Sequence, residues 1–241
     1  MVNVIKSSKC LICKSSKLVE FLTLGETALA NSYLEKHQLD ENEFKAPLRV
    51  YFCETCYLVQ LLDIIDRPSL FSDYAYFSST SPQLLTHFNN YAEEVYSKFS
   101  EQAKKLTVEI ASNDGILLKP LSKLGARVLG VDPAKNIAEI ATKEGVETLP
   151  EFFDREMANK INKNYGKAGV IIANNVLAHT DILHEIISGV FDLLDQDGVF
   201  VFEVQYLADL IKHNEFDNTY HEHICYFFFH PLNYLVEDHG L

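Results

Sequence analysis

A chain of 241 residues, 47% hydrophobic and 23% charged, can bury a core of ordinary size and has room for a small second domain. Its formal net charge of -13 sets it against a polyanion as main partner, because nucleic-acid binding leans on clustered Lys and Arg that neutralise phosphates. No apolar run approaches the roughly 20 residues that cross a bilayer, and no basic and apolar export blocks follow Met1, so a cytoplasmic protein is expected.

Residues 1–66 contain Cys10-Leu11-Ile12-Cys13 and Cys53-Glu54-Thr55-Cys56, two pairs that together present four thiolates to one tetrahedral ion. Zinc is the expected metal, in a structural role: sulfur at all four positions leaves no place for an activated water. A disulfide framework is disfavoured, since Cys225 would be left over and small secreted scaffolds are usually shorter. Short apolar runs from Leu18 to Leu22 and from Leu58 to Leu62, with little helical periodicity, make 1–66 a small β-rich zinc-binding domain. Residues 67–105 form a connecting loop and helix. Tyr74 to Pro82 is rich in hydroxyls and aromatics, the composition of a loop that carries binding groups. Leu84, Leu85, Phe88, Tyr91, Val95 and Phe99 then recur at helical spacing, and that stripe reads as core packing.

From 106 to 241 strands and helices alternate, the mark of a parallel sheet with crossover helices, and the fold class is α/β and Rossmann-like. The expected strands are 107–111, 127–132, a weaker 145–149, 169–173 and 198–203, with helices starting near Gly115, Pro133, Asp154 and Asp181. Five strands are convincing.

The turn after the first of these strands, Glu109-Ile110-Ala111-Ser112-Asn113-Asp114-Gly115, is followed about twenty residues later by Asp132 at the end of the second strand. An acidic residue there can accept hydrogen bonds from ribose hydroxyls. A dinucleotide would need a glycine-rich turn for its pyrophosphate. This turn has only Gly115; acidic and poor in glycine, it suits a positively charged cofactor without phosphate, S-adenosylmethionine. Glu109, Ala111, Ser112, Asn113, Asp114, Gly115, Asp132, Pro133 and Asn174 are the expected cofactor residues. The fourth strand runs out into Asn174-Asn175-Val176-Leu177-Ala178-His179, and Tyr220-His221-Glu222-His223 follows the fifth. In an extended run Tyr220 and Glu222 would face one way and His221 and His223 the other, unless a turn merges them. A metal site from His179, His221 and His223 is conceivable but has no second cluster of carboxylates to support it.

Taken together, the two cysteine pairs, Leu24-Gly25-Glu26 leading to Leu29-Ala30-Asn31, the segment from Tyr76 to Ser81, the Glu109 to Gly115 turn, Asn175 to His179 and Tyr220-His221-Glu222-His223 resemble the S-adenosylmethionine-dependent sugar C-methyltransferases of deoxysugar biosynthesis. The resemblance implies a class I methyltransferase domain behind a structural zinc domain, acting on a ring carbon beside the ketone of a nucleotide-linked 4-keto-deoxysugar. Base-catalysed enolate formation would be followed by in-line methyl transfer. It implies His223 as the base, with Tyr76, His179, Tyr220 and Glu222 holding the sugar and the developing oxyanion. Ala111 departs from the glycine that many methyltransferases carry, a modest change where the backbone keeps negative φ. The resembling enzymes also continue past the position of Leu241 into a further domain that contributes to nucleotide-sugar binding. A truncated chain, a separately encoded C-terminal segment and a shortened protein without activity are all consistent with that. Two other classes stay open at this point: a non-catalytic zinc and Rossmann-like binding module, and an O- or N-methyltransferase.

Overall fold

The structure, a computed structural model, describes residues 2–72 and 77–241. In chain order it contains β1 (Val4–Lys6), β2 (Leu18–Ala28), β3 (Lys45–Cys53), β4 (Val59–Leu61), β5 (Asp63–Ile65), the short helix α1 (Arg67–Phe71) and the long helix α2 (Pro82–Lys105). The alternating portion follows: β6 (Thr107–Ile110), α3 (Leu118–Leu124), β7 (Val128–Val131), α4 (Lys135–Lys143), β8 (Thr148–Leu149), α5 (Arg155–Tyr165), β9 (Ala168–Asn174), α6 (Leu183–Leu193) and β10 (Leu194–Glu203). The chain closes with α7 (Leu207–His213), β11 (Cys225–Tyr226) and α8 (Phe229–Glu237). Contacts divide these residues into two units, one of 1–70, 177–183 and 204–238, the other of 71–176, 184–203 and 239–241.

The first unit is built on an antiparallel sheet of order β11-β4-β3-β2, with β1 paired to β5 beside it. Alternation along β3 buries Ala46, Leu48 and Val50 on one face, the period-2 pattern of a half-buried strand. Leu48, Val50, Val59, Leu61, Leu207 and Tyr226 form its core, so residues from β3 and β4 share a core with α7 and β11, contributed from more than 140 positions later in the chain. Arg49 adds a two-pronged bond to the buried Asp63, Nε to Oδ2 and Nη2 to Oδ1 at 2.9 Å each, the fork geometry that makes Arg suited to a carboxylate.

The second unit carries a parallel sheet of order β10-β9-β6-β7-β8. Numbered from β6, that is the order 3-2-1-4-5 with a reversal between β6 and β9, the arrangement that leaves a crevice at the strands' carboxyl ends. β6 is buried along its whole length and β9 along all but its last residue, as strands covered by helices on both sides are. Helix α2 opens with Ser81, whose hydroxyl accepts from the Leu84 N–H, and with Pro82 in its first turn. Its Phe88, Ala92, Val95 and Ala103 pack into the same core as Leu117, Leu121, Val170 and Ile172.

Every expected strand of this unit is present within a few residues of its expected ends. Helices α3, α4, α5 and α6 begin one to three residues after the expected starts, because the turns and caps that precede them lie outside the helical hydrogen-bond ladder. The weak third strand shortens to Thr148–Leu149, since only Gly130 and Val131 of β7 are left to pair with it. No helix among the described residues is long and apolar enough to cross a membrane.

Close approach of α2 to β9 depends on Gly169: a Cβ there would run into the main-chain carbonyl of Gln102. Gly169→Ala is expected to lower the thermal unfolding midpoint by an amount matching about 1–3 kcal/mol, the range for overpacking, measured by calorimetry against wild type.

Candidate functional site

The two cysteine pairs form the same turn twice. Lys14 N–H reaches the Cys10 carbonyl at 3.2 Å and Tyr57 N–H the Cys53 carbonyl at 2.9 Å, and both Lys14 and Tyr57 take positive φ, 58° and 65°. Strand β2 leaves the first turn, β3 enters the second, and their antiparallel register sets Leu18 opposite Cys53. The four sulfur atoms consequently lie within 4.8 Å of one another, with Cys10 to Cys56 and Cys13 to Cys53 at 3.5 Å. Tetrahedral zinc with Zn–S bonds of about 2.3 Å needs sulfurs about 3.8 Å apart, so the donor set fits the ion. The side-chain contact with Cys56 pulls the Cys10 thiol down to about 4 and pushes Cys56 up: thiols this close compete for protons, and a cation resolves the competition. Cys225 is buried on β11, where burial raises its pKa, so it stays a protonated, unreactive thiol.

In the second unit the turn after β6 is strongly bent. Ala111, Asn113 and Gly115 all have positive φ, at 54°, 48° and 78°. The negative φ under which alanine would be a modest change at 111 is therefore not what the backbone adopts; the left-handed conformation costs an alanine about 1–2 kcal/mol. Two bonds hold it there, Ala111 N–H to the Val131 carbonyl at 2.7 Å and Asn113 N–H to Asp132 Oδ2 at 2.8 Å. The second oxygen of Asp132 accepts from Ala134 N–H at 2.9 Å, across Pro133, so this carboxylate shapes the turn and keeps spare lone pairs for a ligand. Gly130 makes room beside it, because a Cβ there would collide with the side chains of Ser112 and Thr148.

Among the described residues, Glu109 Oε2, Ser112 Oγ and Asp114 Oδ1 are buried here without a hydrogen-bond partner, as is Asn174 Nδ2. Buried polar atoms are normally paired, so this concentration marks a ligand site. Burial, then the charges of Asp132 and Asp114, push the Glu109 carboxyl well up; burial also raises Asp132, against the pull of its two N–H donors. A positively charged ligand would relieve both. Ahead of α2, Ser78 N–H donates to Asn113 Oδ1 at 3.0 Å and Ser79 N–H to Asp114 Oδ2 at 3.2 Å, which fixes part of the hydroxyl-rich loop on the turn. From α2 itself, Tyr91 donates to Asn174 Oδ1 at 3.3 Å, and His87 meets Glu203 at 3.0 Å. Glu203 also accepts from Asn175 Nδ2 at 3.0 Å. These α2 contacts had no separate signal in the sequence, where the helix stripe read as packing.

The Tyr220 to His223 segment lies in the first unit. A tight turn, His223 N–H to the Tyr220 carbonyl at 3.1 Å, breaks the extended pattern and merges the two faces. The Tyr220 hydroxyl sits 3.2 Å from His223 Nε2, and the His179 ring lies 4.7 Å from the His223 ring, centre to centre. His223 Nδ1 is 2.8 Å from the Asn218 carbonyl, which can only accept, so Nδ1 carries the proton and Nε2 has the lone pair. His221 turns away to the Ala46 carbonyl at 3.2 Å, so a three-histidine metal site does not form. Glu222 is 3% exposed and its Oε1 accepts from Asn31 Nδ2 at 2.7 Å. Burial lowers the His223 pKa, with the Asn218 bond opposing; burial and then the His223 charge bring His179 to about 3. Burial, with Glu222 adding to it, lifts Tyr220 to about 12. Tyr76 lies outside the described residues. A separate apolar cavity of about 700 Å³, walled by Phe21, Phe52, Leu210, Ile211, Phe216 and Phe228 among others, has none of these candidate residues in its lining.

Comparison with known proteins gives two family matches along the chain, "Putative zinc binding domain" over residues 10–71 and "Methyltransferase domain" over residues 85–241. C-methyltransferase NovU of Streptomyces niveus is 35% identical over 233 residues, 97% of this chain and 56% of that protein, so the chain spans just over half the length of this relative. Among solved structures, a SAM-dependent methyltransferase from Archaeoglobus fulgidus is 14% identical with a TM-score of 0.48, covering 63% of this chain and 68% of its own. Magnesium protoporphyrin IX methyltransferase from Synechocystis, solved with SAH, is 17% identical with a TM-score of 0.47, covering 65% and 72%.

Metal analysis of the purified protein is expected to give one zinc per chain, and chelation or Cys53→Ser is expected to lower the unfolding midpoint, because the binding free energy of a structural zinc is folding free energy. Full retention of thermal stability in the metal-free protein would remove the structural role.

Proposed function

Because the chain belongs to the S-adenosylmethionine-dependent methyltransferases that carry an N-terminal zinc-binding domain, we propose that it methylates a carbon next to the ketone of a nucleotide-linked 4-keto-deoxysugar. The observation that carries this reading is His223, whose Nδ1 proton is engaged by the Asn218 carbonyl while Nε2 faces the Tyr220 hydroxyl. Transfer to oxygen or nitrogen can use a lone pair already present, whereas carbon must first lose a proton to a positioned base. The 35% identity to a protein named a C-methyltransferase supports the same choice.

Bound S-adenosylmethionine supplies a sulfonium methyl group; Glu109, Asp114 and Asp132 offer it buried carboxylates, Ser112 a buried hydroxyl and Asn174 a buried amide donor. His223 Nε2 takes the proton from the sugar carbon, and the electron pair moves onto the ketone oxygen. Tyr220, whose raised pKa keeps it protonated at neutral pH, donates a hydrogen bond to that oxygen. The carbon so activated is the nucleophile to which the sulfonium methyl group, held by the residues of the Glu109 to Gly115 turn and Asp132, would be presented. His179, neutral beside His223, keeps the base free of a competing positive charge, and Glu222 accepts from a sugar hydroxyl; Tyr76 is assigned to the sugar by the family resemblance alone. By sequence, residues 1–66 serve as the zinc domain, 67–105 as the connection and 106–241 as the cofactor domain, although 177–183 and 204–238 fall in the first unit by contact. The protein works in the cytoplasm, with a nucleotide-linked sugar as its small-molecule partner.

Titration calorimetry is expected to give saturable S-adenosylmethionine binding that weakens about 10-fold or more in Asp132→Ala, the scale of a lost hydrogen bond to a charged group. With a panel of nucleotide-linked 4-keto-deoxysugars, His223→Ala should bind the cofactor normally but transfer methyl about 100- to 10,000-fold more slowly. Unchanged turnover would remove His223 from the mechanism. Since burial lowers its pKa, the neutral base persists into more acid solution, and kcat/KM should hold level as pH falls through 6.5 and decline only below it.

A further inference from the structure

Glu222 and Asn31 are separated by 191 residues in sequence and meet at 2.7 Å. Asn31 sits in the turn that follows β2, closed by the Ser32 N–H on the Leu29 carbonyl at 3.2 Å. A carboxylate only accepts, so the amide nitrogen of Asn31 faces it and the contact is directional. The main chain of Glu222 is fixed as well, since it hydrogen-bonds the His179 ring. One residue is therefore pinned at its backbone by one candidate site residue and at its carboxylate by a residue of the cysteine-bearing sheet's own loop.

A buried carboxylate without a donor is costly, and a donor in a fixed place also selects one rotamer from several near-equivalent ones. We infer that Asn31 is a positioning residue that fixes the Glu222 carboxylate to receive a hydroxyl hydrogen of the acceptor, and so sets which hydroxylated substrates the site takes. This assignment rests on the acceptor reading given above and adds to it a residue outside the Tyr220 to His223 run. Asn31 does not touch the reacting atoms; its effect passes through Glu222. A mispositioned acceptor carboxylate weakens substrate binding more than it slows the chemistry, because the base, His223, is held independently by Asn218.

The test uses the full chain with S-adenosylmethionine and the panel of nucleotide-linked 4-keto-deoxysugars. Asn31→Ala is expected to raise the KM for the sugar about 10-fold, the scale of one charge-assisted hydrogen bond, with cofactor affinity unchanged and kcat within about threefold, which reports that the first unit is folded. Asn31→Asp places a second carboxylate against Glu222, and two such groups cannot both ionise at that distance. Its kcat/KM, divided by the wild-type value at each pH to cancel His223 and the other groups facing Glu222, His179 and Tyr220, should fall as pH rises from 5 to 9. Its unfolding midpoint relative to Asn31→Ala should fall in the same direction, because a carboxyl pair with a raised folded-state pKa contributes stability at low pH that is lost on deprotonation. An unchanged KM in Asn31→Ala, or an Asn31→Asp defect independent of pH, would overturn the assignment while leaving the acceptor reading intact. Absence of transfer by wild type to every sugar of the panel would overturn that reading and this assignment together.

Discussion

Four sulfur atoms from turns forty residues apart can share one cation only if the chain between them returns on itself, and the first unit is organised by that requirement. β2 starts where the first cysteine turn ends, and β3 ends where the second begins; antiparallel pairing is what brings the turns together. β4 leaves the second turn and pairs back onto β3, with Phe52 opposite Val59, and β11 then pairs Tyr226 with the same Val59. A two-stranded pairing such as β2 with β3 is marginal in water until further strands or packing support it. Much of β2 is exposed, so little apolar burial holds that strand. The metal supplies what the small core cannot, and the consequence reaches past the cysteines: β11 directly follows the turn that joins Tyr220 to His223, so the geometry of the candidate base depends on a sheet whose far end is closed by zinc.

The second unit meets a different constraint, the expense of burying acid. Glu109 and Asp132 sit at adjacent strand ends with Asp114 between them in sequence, and burial raises the pKa of the first two. The turn joining β6 to α3 puts an alanine in a left-handed conformation that alanine disfavours. Strain and uncompensated burial persist only where surrounding bonds over-determine the local structure, and they collect at functional sites. Here the bonds are those of Asp132, one oxygen on Asn113 and the other on Ala134, so the acidic residue expected to recognise a ribose also holds the turn that would receive the rest of the cofactor.

Legibility in the sequence followed the range of the forces involved. The cysteine pairs, the alternation of strand and helix and the Asp132 spacing are local patterns, and each corresponds to an observed element or cluster within a few residues. What the linear reading lacked was mostly long-range or carried by main-chain atoms. The return of β11 to the cysteine-bearing sheet depends on a two-residue strand too short to show a period. The tautomer of His223 is set by the carbonyl of Asn218, an atom every residue has. Merging of Tyr220 with His223 requires one backbone turn inside four residues, which alternation by itself does not disclose. Asn31 was visible only as part of a resemblance, and its bond to Glu222 spans most of the chain.

His223, His179 and Tyr220 form a set of groups that burial biases toward the neutral form, and that neutrality decides what they can do. His179 at about 3 stays unprotonated over the whole range in which the protein would work, so it adds no positive charge to discourage protonation of His223 further than burial already does. A base with a lowered pKa is present in the correct form at neutral pH but removes protons less strongly, which in water would be a net loss. The loss is offset when the anion that forms is met by a donor already in place. In the mechanism proposed above, Tyr220, 3.2 Å from His223 Nε2 and held protonated by a pKa of about 12, would release its hydrogen bond from Nε2 as that nitrogen takes up the substrate's proton, and give it to the oxygen where charge appears. On that proposal one hydroxyl would serve the base before the reaction and the oxyanion during it, so Tyr220→Phe should slow methyl transfer without the loss of cofactor binding that damage to the Asp132 turn would cause.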